Sequence, residues 1–236
     1  MEIESANPVA LLDGLSLVML GVLSAAQYQV YEVESRIRRA RFAVYLTTIQ
    51  NGGLMPISKK IQEIIDAVSS DRQSLLDSIG GLSDAQINHK QEGQWSISDI
   101  LHHLALTDEA NVKLISRMLK QAEALALPTD PTPDGSEIDS LAPFAEALKN
   151  RVQAPEFVRP HEHAPVEQSL ARLEASRKRF VEVVEQLGQY DLSLLKYPHP
   201  LLGELNLYQW LVIAGGHERR HANQINRIKS EPDFPQ

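Results

Sequence analysis

The chain contains no cysteine. Disulfide scaffolds, thiolate zinc sites and thiol nucleophiles are therefore excluded, and the redox compartment stays open. Glycine is sparse, at 12 of 236 residues, and apolar residues recur at helical spacing in long runs, which disfavours an all-β fold. Positive charge is in deficit: 23 Lys and Arg stand against 31 Asp and Glu, a net charge of −8. Nucleic-acid affinity comes mostly from neutralising phosphates, so an acidic chain without a long basic cluster is a poor candidate for that role. The 43% hydrophobic content is that of a globular chain. A chain of this length buries a full core without covalent staples.

Residues 1–55 differ from the rest and read as an N-terminal helical extension of unclear role. The Leu-, Val- and Ala-rich run from Pro8 to Ala26 resembles a signal peptide or membrane anchor. Glu2 and Glu4 stand where a signal peptide carries Lys or Arg, and Asp13 interrupts the run, at about 2.5–3.5 kcal/mol for a charge in mid-membrane. The cluster Arg36, Arg38, Arg39 and Arg41 reads as a solvated helix face. Asn51-Gly52-Gly53 breaks the chain, and the functional domain is expected to begin near Met55. The upstream segment is then an appendage, or translation from a start codon placed too early. The expected division is an extension over 1–55, a bundle domain over 56–230 and a tail over 231–236. A cytoplasmic protein acting on a small molecule is expected, with no nucleic-acid partner and no membrane partner.

Four long helical segments follow. The first carries Ile57, Ile61, Ile64, Ile65, Val68, Leu75, Leu76 and Ile79 at spacings that make one stripe, and Gly80-Gly81 stops it. The second opens with Ser96 and Asp99 in a capping-box pattern and is expected to run to about Leu127, where Pro128 ends it. Residues 128–165 hold seven prolines and read as a long irregular connection, with one short helix expected within Leu141–Val152. Such a connection is a candidate cover for a site at one end of the bundle. The third helix is expected over Val166–Leu187. The fourth starts from Asn206 as N-cap, with Gln209 reciprocal to it, and its stripe is Leu207, Trp210, Leu211, Ala214, His217, His221, Ile225 and Ile228. The expected fold is all-α, a four-helix bundle with a long Pro-rich connection between helices 2 and 3.

The chemistry is concentrated in the histidines. His217 and His221 are four residues apart, so they share a helix face, where a plain bundle would place Leu or Ala. Two imidazoles on a core face need partners, and either a metal or neighbouring hydrogen bonds would supply them. The string His217-Glu218-Arg219-Arg220-His221 also has the H-E-x-x-H form of a metalloprotease helix. Its context is poor: two arginines stand inside the motif, and Gln224 and Ile228 occupy the positions of the extended form's Gly and last His. A third ligand is expected upstream, at His103 on the second helix. Three neutral imidazoles leave an open position, the pattern of a catalytic site. Ligand type does not name the metal: zinc comes first, with nickel, iron or manganese as alternatives. Asp99 has two readings, a hydrogen-bond partner for His103 or the carboxylate of the capping box, and the second is preferred. His102 is expected to point away from the stripe, His161 and His163 to lie at the surface of the connection, and His89 and His199 to be loop residues. Gly215-Gly216 marks a close approach of another helix or a local kink. Glu218 is the one candidate general base, expected one residue off the His face and pointing outward.

Taken together, Trp95-Ser96 with His103-Leu104, His199-Pro200 with Gly203, and His217, His221 and Gln224-Ile225 resemble the DinB-like (YfiT-like) superfamily of metal-dependent bundle proteins, over about residues 57–229. The resemblance implies a four-helix bundle with metal ligands His103, His217 and His221. It also implies a homodimer and, from some relatives, transfer or isomerisation with a low-molecular-weight thiol such as bacillithiol, mycothiol or glutathione. The leading functional expectation is a metal-dependent thiol S-transferase whose thiol comes from a cofactor. The alternatives are a hydrolase in which the metal acidifies a water, with Glu218 beside it, and a non-catalytic metal-binding or interaction bundle.

Overall fold

The computed structural model describes residues 57–144, 153–160 and 164–235. The expectations placed on residues 1–55, on His161 and His163, and on the part of the short connection helix beyond residue 144 lie outside the described residues.

Helix α1 spans Lys59–Ile79 and is capped by the Ser58 hydroxyl, which accepts the Ile61 N–H at 3.3 Å. Ile61, Ile64, Ile65, Val68 and Leu75 are its buried stripe. Ile57, expected to begin that stripe, precedes the cap and is 40% exposed. The single turn α2, Asp84–Ile87, carries a capping box between Ser83 and Gln86. Helix α3, Ile97–Ala124, starts on the expected Ser96–Asp99 box. It ends three residues earlier than expected, because Ala126 turns left-handed at φ 48° and Leu127 N–H bonds back to the Ala122 carbonyl at 3.1 Å, a Schellman-type stop. Helix α4 covers Val166–Leu187, and helix α5 covers Leu207–Lys229 behind the Asn206–Gln209 box.

The connection after α3 makes two 3₁₀ turns, Ile138–Phe144 and Glu156–Val158. The helix expected from Leu141 is thus, in its described part, the end of a 3₁₀ turn containing Pro143. Before α5 lies an antiparallel hairpin that the sequence pattern did not announce, β1 (Lys196–His199) and β2 (Gly203–Asn206), with His199 paired to Gly203. Pro198 and Pro200 hid it, because proline demotes a strand reading. Residues 231–235, expected as a tail, fold onto the bundle. Phe234 is 7% exposed within the apolar cluster at that end, and Pro235 accepts a hydrogen bond from Gln86. Among the described residues no helix is long and apolar enough to cross a membrane.

The four long helices form the bundle, with α3 packed mainly on α4 and α1 mainly on α5. Their apolar contacts fall into two layers. One is built from Ile61, Ile64, Val68, Ile115, Met118, Phe180, Tyr208 and Leu211. The other is built from Leu75, Ile97, Ile100, Leu101, Leu104, Leu173, Ile225 and Phe234. Every long helix passes from one layer to the other, and polar groups occupy the crossing.

The two glycines in α5 have different roles. A Cβ on Gly215 would lie 2.8 Å from Val68 Cγ2, 3.0 Å from Val68 Cα and 3.1 Å from an Asp71 oxygen, so α1 and α5 meet backbone to backbone there. On Gly216 such a Cβ would come no closer than 3.9 Å to an Arg219 guanidinium nitrogen. Gly215→Ala is therefore expected to destabilise by about 1–3 kcal/mol through overpacking. Gly216→Ala is expected to stabilise by up to about 1 kcal/mol through helix propensity. Urea unfolding of the two variants checks the pair, and equal effects would contradict the close approach.

Candidate metal centre

His103 sits in the second turn of α3, and His217 and His221 sit on consecutive turns of α5. The packing of α3 near α5 brings the three together, with one ligand nitrogen from each within 4.8 Å of the others. The Nε2 atoms of His103 and His217 are 3.4 Å apart, and those of His221 and His217 are 3.1 Å apart. The rings meet edge to face, with centroids 4.7–5.2 Å apart.

The outer ring nitrogens set the tautomers. His103 Nδ1 lies 2.7 Å from the Val158 carbonyl, which can only accept, so Nδ1 carries the proton. His221 Nδ1 lies 2.9 Å from Gln224 Oε1 and is protonated for the same reason. Both Nε2 atoms therefore present lone pairs to the centre. His217 Nε2 has one proton at most to offer, so at least one of the facing lone pairs lacks a donor. A cation satisfies all of them. Two ligands on a tetrahedral zinc with bonds of ~2.0–2.1 Å stand about 3.3 Å apart, close to the separations found. The donor set thus fits a divalent ion.

Electrostatics favours the same state. Burial lowers His217 well below the ordinary histidine value, and the His221 and His103 rings lower it further. Burial and the neighbouring His103 bring His221 down to about 3. Burial also lowers His103, partly offset by its bond to Val158. All three rings are neutral near pH 7, the form a metal requires. Trp95 covers one side, its ring 4.9 Å from that of His103.

Asp99 is not the partner of His103. It caps α3 and binds Lys90 at 2.8 Å, and the connection supplies the Val158 carbonyl in its place. His102, expected to point away from the stripe, is buried as well. His89 packs against Phe234 at the far end of the chain.

Glu218 corrects an expectation. It lies off the His face, but it points inward and is wholly buried. Its Oε2 accepts from Arg72 Nε at 2.8 Å, and its Oε1 accepts from Arg72 Nη2 at 2.6 Å and from Arg177 Nη2 at 2.5 Å. Arg72 also binds Asp108 at 2.6 Å and the Leu173 carbonyl at 2.9 Å. Burial raises Glu218, but Arg177 and Arg72 outweigh it and hold the carboxylate below its usual range. Burial, with the adjacent Glu218 charge, pushes Asp108 up to about 7. Residue-level reading missed Arg72, Asp108 and Arg177. The available signal was position: Arg72 stands four residues after Val68, Asp108 four after Leu104, and Arg177 four after Leu173, each inside an apolar stripe.

The fold and site define a four-helix bundle with a three-histidine cluster shared by its second and last long helices. A family model described as "DinB superfamily" matches residues 67–225, which is more than half of the chain. The chain belongs to the DinB superfamily. It is 28% identical over 153 residues to the Bacillus subtilis (strain 168) protein called "Uncharacterized protein YuaE", covering 64% of this chain and 88% of that one. Among solved structures it is similar to TT2238, described as a four-helix bundle protein, at 19% identity and a TM-score of 0.46, covering 70% of this chain and 96% of that one.

Proposed function

We propose that this chain is a divalent-metal protein whose ion is held by His103, His217 and His221, and that it is an S-transferase acting through a low-molecular-weight thiol. The observation that carries the metal reading is the convergence of three Nε2 atoms, two of them fixed as lone-pair donors by Val158 and Gln224. When bound, the ion supplies Lewis acidity that lowers the pKa of a thiol placed at its open position. The absence of cysteine from the chain requires that thiol to come from outside, as bacillithiol, mycothiol or glutathione. The protein's own part is positional: the Val158 carbonyl and Gln224 orient two rings, and Trp95 shields the side of His103. The hydrolase reading loses its general base, because arginines occupy both Glu218 oxygens.

Elemental analysis of untagged protein tests the metal reading. Wild type is expected to hold about one equivalent of zinc, nickel, iron or manganese, and His217→Ala/His221→Ala to hold almost none. Wild type that stays metal-free after reconstitution with each ion overturns it. Metal-dependent loss of thiol in the presence of an epoxide or chlorinated electrophile then tests the transferase, and no turnover with any of the three thiols overturns that step.

A further inference from the structure

The long connection meets the bundle through a small closed unit, Ala154–Arg159, built around the 3₁₀ turn Glu156–Val158. Val158 N–H bonds to the Pro155 carbonyl and Arg159 N–H to the Glu156 carbonyl, both at 3.1 Å. Arg159 closes the unit. Its Nε donates to the Ala154 carbonyl at 2.8 Å, and its Nη1 donates to Glu156 Oε2 at 2.8 Å. Phe157 faces solvent and is 68% exposed, whereas Val158 is 5% exposed and the turn packs on α3. Val158 also supplies the hydrogen bond that ties the unit to that helix, its carbonyl lying 2.7 Å from His103 Nδ1.

That bond depends on where the single proton of a neutral His103 sits. On Nδ1 the proton meets the Val158 carbonyl. On Nε2 it would face His217 Nε2, 3.4 Å away, and Nδ1 would turn a lone pair on the carbonyl, acceptor against acceptor. Two acceptors therefore compete for one proton. Ligation at Nε2 removes the second choice, because a ligating nitrogen carries no proton. His221 is less sensitive to the same choice. Gln224 can rotate its amide and either accept from Nδ1 or donate to it. A backbone carbonyl only accepts, so the unit held by Val158 responds to the state of the histidines where Gln224 adapts to it.

We propose that Ala154–Arg159 is a metal-responsive strap, docked on α3 by Val158 while His103, His217 and His221 hold an ion and opening more readily when they do not. The inference rests on the metal reading above and adds a conformational output to it. Linkage makes the effect reciprocal: an ion that favours the docked strap is itself held more tightly by it, by the same factor. Hydrogen-bond partners of ligating histidines carry about 10–100-fold in metal affinity, so a coupling of about tenfold is expected.

Amide hydrogen exchange of the full chain, loaded with zinc and after removal of zinc by a chelator, tests the strap. Val158 and Arg159 N–H are expected to exchange about tenfold more slowly with zinc. Ser140 N–H, bonded to the Glu137 carbonyl at the connection's other 3₁₀ turn, is expected to be unchanged. Equal exchange at Val158 and Arg159 in the two states overturns the proposal. So does equal slowing at Ser140, which would report stabilisation of the whole fold. Chelator competition reads the reciprocal effect. Val158→Gly removes the buried side chain, and Arg159→Ala opens the unit at a half-exposed residue. Both leave the three ligands in place, and both are expected to weaken zinc binding, the first about tenfold and the second by less. Wild-type zinc affinity in both variants overturns the proposal and leaves the metal reading standing. A wild-type chain that takes up no zinc overturns the metal reading, and this inference with it.

Discussion

Arg72→Met is expected to lower the unfolding free energy by about 3–5 kcal/mol, the cost of leaving a buried charge without its partner. At roughly 2–4 °C per kcal/mol for a chain of this size, the melting temperature falls by about 10 °C. The reason is the charge balance of the layer between the two apolar clusters. Arg72 and Arg177 face Asp108 and Glu218 there, two cations against two carboxylates. Arg72 spans both acids and also holds the Leu173 carbonyl of α4. Removing it takes the shared guanidinium from both acids, in a site where Glu218 is entirely excluded from water and where Asp108, already pushed up to about 7, must then stay protonated or stand unpaired beside Glu218. The double variant Arg72→Met/Asp108→Asn restores a one-to-one pairing between Arg177 and Glu218. It is therefore expected to be more stable than Arg72→Met alone. Thermal and urea unfolding followed by circular dichroism read both effects. A single variant within about 1 kcal/mol of wild type, below the range for a broken buried pair, would contradict the account, and so would additive losses in the double variant.

That layer also bears on the site. Glu218 follows His217 directly, and its anchoring to α1 and α4 fixes the rotation of α5 about its axis. With that rotation fixed, His217 and His221 face His103. The glutamate of the H-E-x-x-H string is thus explained without catalysis. It orients the helix whose histidines form the centre.

The helices, their caps and the three histidines were legible in the sequence because each leaves a local signal. Ser96 with Asp99 and Asn206 with Gln209 mark helix starts at fixed spacing, and His217 and His221 interrupt an apolar stripe at one-turn spacing. The buried ion network left a fainter trace of the same kind, charges at core positions, which is easily taken for a solvated face. The Val158 carbonyl left none. It reaches His103 across 55 residues from a proline-rich connection, and a backbone oxygen carries no residue identity. His199 was read as a loop residue for a related reason: its position depends on a hairpin that two prolines disguise.

Lys60→Met is expected to cost about as much as Arg72→Met, roughly 3–5 kcal/mol, at the end of the bundle where α1 begins. Lys60, Asp130 and Tyr208 are all buried there. The Lys60 ammonium lies 2.9 Å from Asp130 and 3.3 Å from Glu137, and the Tyr208 hydroxyl donates to Asp130 at 2.5 Å. Asp130 also accepts from Thr132 N–H and hydroxyl. The cluster pins the start of the long connection to α1 and α5. Burial alone would raise Asp130, but the hydrogen bonds from Tyr208, Lys60 and Thr132 outweigh it and hold the carboxyl at about 2, against 3.8 unperturbed. The folded state therefore prefers the ionised form. Its stabilisation is complete above about pH 4 and is lost as pH falls through about 2, a contribution on the order of 2 kcal/mol. Without Lys60 the carboxyl moves back toward its unperturbed value, so the variant is expected to lose stability at neutral pH and to show a flatter acid limb between pH 4 and 2. Tyr208→Phe removes one hydrogen bond to a charged acceptor and is expected to cost less, about 1.5–3 kcal/mol. Urea unfolding from pH 7 down to pH 2 separates the cases. An acid limb in Lys60→Met as steep as wild type would show that Asp130 draws its stabilisation from its other donors.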